Sequence, residues 1–163
     1  MKSSIKTYFI CFAALCLGGC VTYDEAPAPT PVEVQAMQSR TIDCSYKVAY
    51  AAVIDVFQEL GYIIQNSEFS TGLVVAKSSV DEAVVGGLWM NMGNVMMWRT
   101  ATAHIEELNN NQVHIRVSFV AHRQLSNEYV KNSERSVALN DAQIYTEFYS
   151  KIDNAIFIRK NLR

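Results

Sequence analysis

The sequence predicts an α+β domain in which a mainly antiparallel sheet carries two helices packed on one face. Three observations predict it. Apolar residues recur at spacings of three and four over two long segments, 45–60 and 141–157. Strict period-two alternation runs over 99–122 about one turn. Two short apolar runs, 62–64 and 73–76, flank a turn-rich stretch, which is the pattern of a hairpin.

The elements follow in order β-α-β-β-insertion-β-β-α. Val34 to Cys44 alternates weakly without a breaker and reads as a first strand. Ser45 is placed to cap a helix in which Ala49, Ala52, Val53, Val56, Phe57 and Leu60 form one stripe, and Gly61 stops it. Tyr62-Ile63-Ile64 and Leu73-Val74-Val75-Ala76 are then the arms of a hairpin. Arg99 to Glu107 and Gln112 to His122 form a second one across Asn109-Asn110-Asn111, residues that tolerate the left-handed backbone of a three-residue loop. With that loop Leu108 faces Gln112 and paired residue numbers sum to 220. Ile105 then opposes Ile115, Ala103 opposes Val117 and Ala101 opposes Phe119 on one face, while Glu106 meets His114 and His104 meets Arg116 on the other. A two-residue loop would pair apolar with polar side chains throughout, so the alternation rejects it. Residues 124–140 are polar and aperiodic and read as a long connection with room for a short edge element. Asn140 or Asp141 caps a last helix with Ile144, Tyr145, Phe148, Tyr149, Ile152 and Ile156 on one stripe. Arg159, Lys160 and Arg163 near its end suit the negative pole of the helix.

The insertion, residues 80–98, has an unusual composition. It holds four of the six methionines (Met90, Met92, Met96, Met97) and both tryptophans (Trp89, Trp98), and no charge falls between Ala83 and Trp98. Flexible thioethers and amphipathic indoles suit an adaptable partner surface or a membrane-interface contact. The plainer expectation, and the favoured one, is a lid or short helix folded into the core and closing one end of the sheet.

The N-terminus gives the address. Lys2 and Lys6 precede an uncharged apolar run from Tyr8 to Leu17, ten residues long. As a helix it would reach about 15 Å, half of a hydrocarbon layer of about 30 Å, so it fits a signal peptide better than a membrane span. Leu17-Gly18-Gly19-Cys20 resembles the lipobox of bacterial lipoproteins. That resemblance implies cleavage after a signal peptide 1–19 and lipidation of Cys20. It also implies a cell-envelope location, and Val21 rather than Asp after the cysteine favours the outer membrane, facing the periplasm. Residues 20–33 would be the lipidated Cys and a tether, in which Pro27, Pro29 and Pro31 favour extended chain. Residues 34–163 would be the single domain.

Composition narrows the partners. Of 14 basic residues Lys2 and Lys6 leave with the signal, so 12 face 16 acidic ones and the formal charge is −4. No basic stripe is present, which argues against a nucleic-acid partner. Cys44 would be the one thiol left after processing, a buried residue at a strand end.

The element order, together with Arg40 to Cys44, Glu59-Leu60-Gly61-Tyr62, Gly72 to Ala76, Glu147-Phe148-Tyr149 and Ala155-Ile156-Phe157, resembles the helix-grip or BamC-like domains of envelope lipoproteins. It is also similar to a broad class of small bacterial lipoproteins without assigned activity. The resemblance implies no catalytic residues, no enzyme activity and no cofactor.

Both helices on one face leave the other open to solvent, an envelope protein partner or a second copy of the chain. That face would carry His104, Glu106, His114 and Arg116. Two imidazoles and a carboxylate are sufficient in kind for a metal site, but His104 beside Arg116 is ordinary cross-strand pairing, and a solvated face is the preferred reading. His104-Ile105-Glu106 lacks the paired cysteines of a zinc deaminase. No phosphate loop, serine elbow or His-Glu-x-x-His is present. The expected function is thus a membrane-anchored, non-enzymatic interaction or assembly module of the envelope. The alternative is a protein that binds a small ligand or metal in a pocket between insertion and sheet.

Overall fold

The structure, a computed structural model, describes residues 29–87, 90–109, 111–126 and 133–161. Its elements are α1 (Pro31–Gln38), β1 (Ser39–Ile42), α2 (Tyr46–Glu59), β2 (Tyr62–Glu68), β3 (Leu73–Ser78), β4 (Asp81–Gly87), β5 (Met90–Asn109), β6 (Gln112–Ser126), β7 (Ser133–Ala138) and α3 (Ala142–Asn161). Among the described residues the seven strands form one antiparallel sheet, and the fold is the expected α+β class.

The sheet is organised about β5 and β6, which pair along almost their whole length. One half has the order β1-β6-β5-β3-β2. Further along the same two strands, β4 pairs with β5 and β7 with β6. The register of the long hairpin is the predicted one, with Ile105 opposite Ile115 and Glu106 opposite His114. The loop differs. Asn109 pairs with Gln112, so the connection is 110–111 and the extra residue is absorbed at Leu108, which is half exposed. A bulge lets a two-residue connection coexist with the correct faces.

One face of the first half is dry. Ala101, Ala103, Ile105, Val113, Ile115, Val117 and Phe119 are buried against α2 and α3, and at the centre Phe148 meets Phe57 at a tilt and Phe119 edge to face. The apolar stripes of both helices are the predicted ones. Asp141 caps α3 by accepting from the Gln143 amide at 2.9 Å. Ser45 occupies the N-cap position of α2 but makes no side-chain cap bond. Cys44 is free and fully buried, and burial pushes its thiol pKa up.

Two expectations are corrected. The stretch read as a strand from Val34 begins as helix α1, and only Ser39–Ile42 is strand. The cause is a capping box: the Thr30 side chain accepts from the Glu33 amide, the Glu33 carboxylate accepts from the Thr30 amide at 2.7 Å, and Pro31 is preorganised at the first helical position. Pro31, taken for part of a tether, therefore starts a helix. The insertion is neither lid nor helix. Residues 81–87 and 90–97 pair as a hairpin that lengthens the sheet. Gly86, Gly87 and Gly93 would each cost a helix about 1 kcal/mol, whereas the hairpin seats Gly86 and Gly87 at the end of β4, opposite Asn91 and Met90.

This lengthening shapes the molecule. The 20 residues of β5 span about 65 Å as strand, while the 20 residues of α3 span about 30 Å as helix. The helix layer cannot cover the sheet. The section built from β4, the start of β5, the end of β6 and β7 runs beyond it.

Candidate functional site

The sequence-predicted residues separate into three groups. Cys20 and Trp89 lie outside the described residues, and Met90 and Met92 fall on β5 in the hairpin. Met96, Met97 and Trp98 follow on β5 and alternate between faces. Trp98 opposes His122 and stacks flat on it, centroids 5.2 Å apart and planes 4° from parallel. Lys77 closes the other side, its Nζ 4.7 Å from the Trp98 ring centroid. The Ser136 hydroxyl and the Glu134 carboxylate from β7 approach His122 Nδ1 at 2.9 and 3.4 Å. Met97, on the opposite face, is 43% exposed.

His104, Glu106, His114 and Arg116 share the uncovered face as expected. His104 opposes Arg116 and Glu106 opposes His114, with the Thr41 hydroxyl 3.2 Å from His114 Nδ1. Among the described residues no three His, Cys, Asp or Glu side chains are grouped to hold a metal ion.

A further feature lies elsewhere, where the helix layer stops. A cleft of about 590 Å³ opens between the end of α2, the β4–β5 hairpin and β7. Leu60, Tyr62, Val137 and Leu139 line it together with Met97, Arg99, Arg123 and Arg135, with Asp81 at the hairpin side. Strand register explains the grouping. Asp81 pairs with Met97, Met97 with Arg123, and Arg123 with Arg135 in one row across four strands. Arg99, Ala121 and Val137 make the next row on the same face.

Tyr62 sits at the inner end of the cleft, its ring against Phe57 and Phe119. Burial raises its phenol pKa, and the Arg99 guanidinium opposes that rise. The Arg99 amide donates to Ser78 Oγ at 2.8 Å, which fixes the backbone where β3 gives way to β4. Arg40 and Arg159 are each ion-paired with an aspartate, Asp153 and Asp55, whereas Arg99, Arg123 and Arg135 make no ion pair with another described residue. The sequence reading missed these three. The signal was present in the hairpin register: a sum of 220 carried past Trp98 places Arg99 and Arg123 on the face of buried Ala101.

The class defined by these observations is a one-layer sheet with helices on a single face and a cationic cleft at its uncovered end. Comparison with known proteins adds little to it. No family model matches the chain. No curated protein matches it either. The solved structures it resembles include a TBP-like protein from Parabacteroides distasonis, at 9% identity and a TM-score of 0.39, the alignment covering 72% of this chain and 90% of that one. A likeness of that size carries no functional inference.

Proposed function

We propose that this chain is a lipid-anchored envelope lipoprotein, held at the outer membrane through Cys20 and facing the periplasm, whose domain is a non-enzymatic interaction module. The observation that carries the reading is the asymmetry of the sheet. One face is sealed by α2 and α3, and the other presents a mixed polar surface from His104 and His114 to the Trp98–His122 stack. Such a surface suits recognition of an envelope protein or of a second copy of the chain.

Two experiments test the parts separately. Globomycin should cause the uncleaved precursor to accumulate, and the mature protein should fractionate with membranes; a soluble mature protein refutes the anchor. A photo-crosslinking residue at position 98 in intact cells should trap a discrete protein adduct. If position 98 gives none while a surface control on α3 does, the uncovered face is not the interface.

The cleft favours a second reading, a protein that binds a small ligand. Its volume falls in the range of small-molecule sites, and its walls combine apolar side chains with a few convergent polar groups. Native mass spectrometry of protein taken from its own envelope should then show a retained mass that unfolding releases.

A further inference from the structure

We infer that the cleft binds a phosphate-bearing amphiphile, with Arg99, Arg123 and Arg135 clamping the phosphate and the apolar walls taking the first carbons behind it. The inference rests on the second reading above and goes beyond it by naming the ligand chemistry.

The argument begins with charge. The chain has a formal charge of −2 and only seven arginines, yet three of them line one cleft. Arg123 and Arg135 are direct cross-strand neighbours, a like-charge pair that works against the sheet. Arg99 lies one row away on the adjacent strand. Asp81 is the one acidic residue among the residues lining the cleft, so the site carries a formal +2. A phosphate monoester carries close to the opposite charge at neutral pH, and the planar fork of each guanidinium matches its oxygens in pairs.

The remaining lining points to the rest of the ligand. Leu60 and Leu139 line the same cavity with Val137, which stands in the row beside Arg123 and Arg135; a bare phosphate would leave this apolar lining unused, and the Tyr62 phenol supplies one polar group at depth. Guanidinium groups and apolar side chains lining one cavity suit a charged headgroup followed by the start of a chain.

The chemistry has two sources, a lipid headgroup and a soluble phosphate ester, and the test separates them. The full chain, extracted from its own envelope in an uncharged detergent, is titrated with inorganic phosphate, with dihexanoyl phosphatidic acid and with dihexanoyl phosphatidylcholine. Intrinsic tryptophan fluorescence and the thermal midpoint are followed. The expected result is saturable binding of the phosphatidic acid at least tenfold tighter than inorganic phosphate, and none of the zwitterionic lipid. Arg123→Gln with Arg135→Gln should weaken it at least tenfold, whereas Lys47→Gln at the exposed start of α2 should leave it unchanged. Sulfate should compete on the unaltered protein, a readout that does not depend on any variant folding. Equal affinity for phosphate and phosphatidic acid overturns the amphiphile and assigns a soluble ester. Absence of saturable binding, or a Lys47→Gln effect equal to that of the double variant, overturns the site. Retention of a ligand without phosphate in the mass spectrum would overturn this inference while leaving the ligand-binding reading intact.

Discussion

Substitution of Gly72 by alanine should be among the most destabilising single-atom changes this domain can suffer. Gly72 closes the β2–β3 turn at φ +70°, and a Cβ there would stand 2.0 Å from the Ile105 carbonyl oxygen, 3.0 Å from its carbon and 3.1 Å from the Tyr46 hydroxyl. Two of these neighbours are backbone of the central strand β5, so no rotamer change relieves the contact. The turn must instead move away by about 1 Å to restore ordinary contact. That motion breaks the bond from the Ile105 amide to the Gly72 carbonyl, now 2.9 Å long. The left-handed backbone costs a side chain about 1–2 kcal/mol, the lost hydrogen bond about 1 kcal/mol and the forced overpacking about 1–3 kcal/mol. Lower entropy of the unfolded chain returns about 0.4–1 kcal/mol, so the net loss is about 3–4 kcal/mol.

Gly61 is the control. It ends α2 at φ +79° but has nothing within 4 Å of the same added atom. Gly61→Ala therefore keeps the left-handed cost alone and should lose about 1 kcal/mol. Urea unfolding followed by circular dichroism should separate the two variants by about 2 kcal/mol or more at an unchanged m-value. Two variants within 0.5 kcal/mol of each other would refute the close approach of the β2–β3 turn to Ile105, and with it the seating of that hairpin on β5.

Three further outcomes are expected. Arg135→Glu turns the repulsive pair with Arg123 into an attractive one, so the ligand-free domain should gain about 0.5 kcal/mol at low salt, a gain that added salt erases, while phosphatidic acid binding falls; urea unfolding at two ionic strengths checks the sign. Tyr149→Phe removes the hydroxyl shared between the Gln38 carbonyl at 2.7 Å and the Ile115 carbonyl at 3.0 Å, and should cost about 1–3 kcal/mol at neutral pH. Burial raises the Tyr149 pKa well above the unfolded value of about 10, so its contribution is complete below pH 10 and is lost as pH rises toward the folded value, and alkaline unfolding curves should show a weaker decline in the variant. The buried Cys44 thiol, its pKa also raised, should react with a disulfide reagent at pH 8 at least a hundredfold more slowly in the folded protein than in urea.

What the sequence revealed followed the strength of its periodicity. The β5–β6 register was legible from Ile105 to Phe119 because a shift of one residue would have exposed every apolar side chain of the hairpin. The stripe from Tyr145 to Ile156 was legible for the same reason at helical spacing. α1 was hidden by composition, since prolines that favour extended chain also start helices, and the decisive pair Thr30 and Glu33 lies inside a segment read as tether. The insertion was hidden because few charges mark its outward positions, leaving no alternation to read. The cleft was the least legible feature. Arg99, Arg123 and Arg135 lie on three different strands, and only the pairing of β7 with β6 brings the last to the first two. Each arginine taken singly reads as a solvated strand residue.

The path by which the chain enters the domain gives the cleft a further constraint. The Tyr145 hydroxyl donates to the Leu139 carbonyl at 2.9 Å and accepts from Gln38 at 3.4 Å. Gln38 ends α1, and Leu139 lines the cleft. One tyrosine thus joins the incoming N-terminal segment to the wall of the cationic cleft through the Gln38 side chain, and Tyr149, one helical turn further along α3, donates to the Gln38 backbone carbonyl. Between Cys20 and Pro31 eleven residue steps span at most about 40 Å when extended. An anchor at Cys20 would therefore hold the domain within about 40 Å of the membrane. A soluble phosphate ester would gain nothing from that arrangement. A headgroup in the same leaflet would be met at high effective concentration, so a weak intrinsic affinity for phosphate is sufficient for occupancy at the membrane.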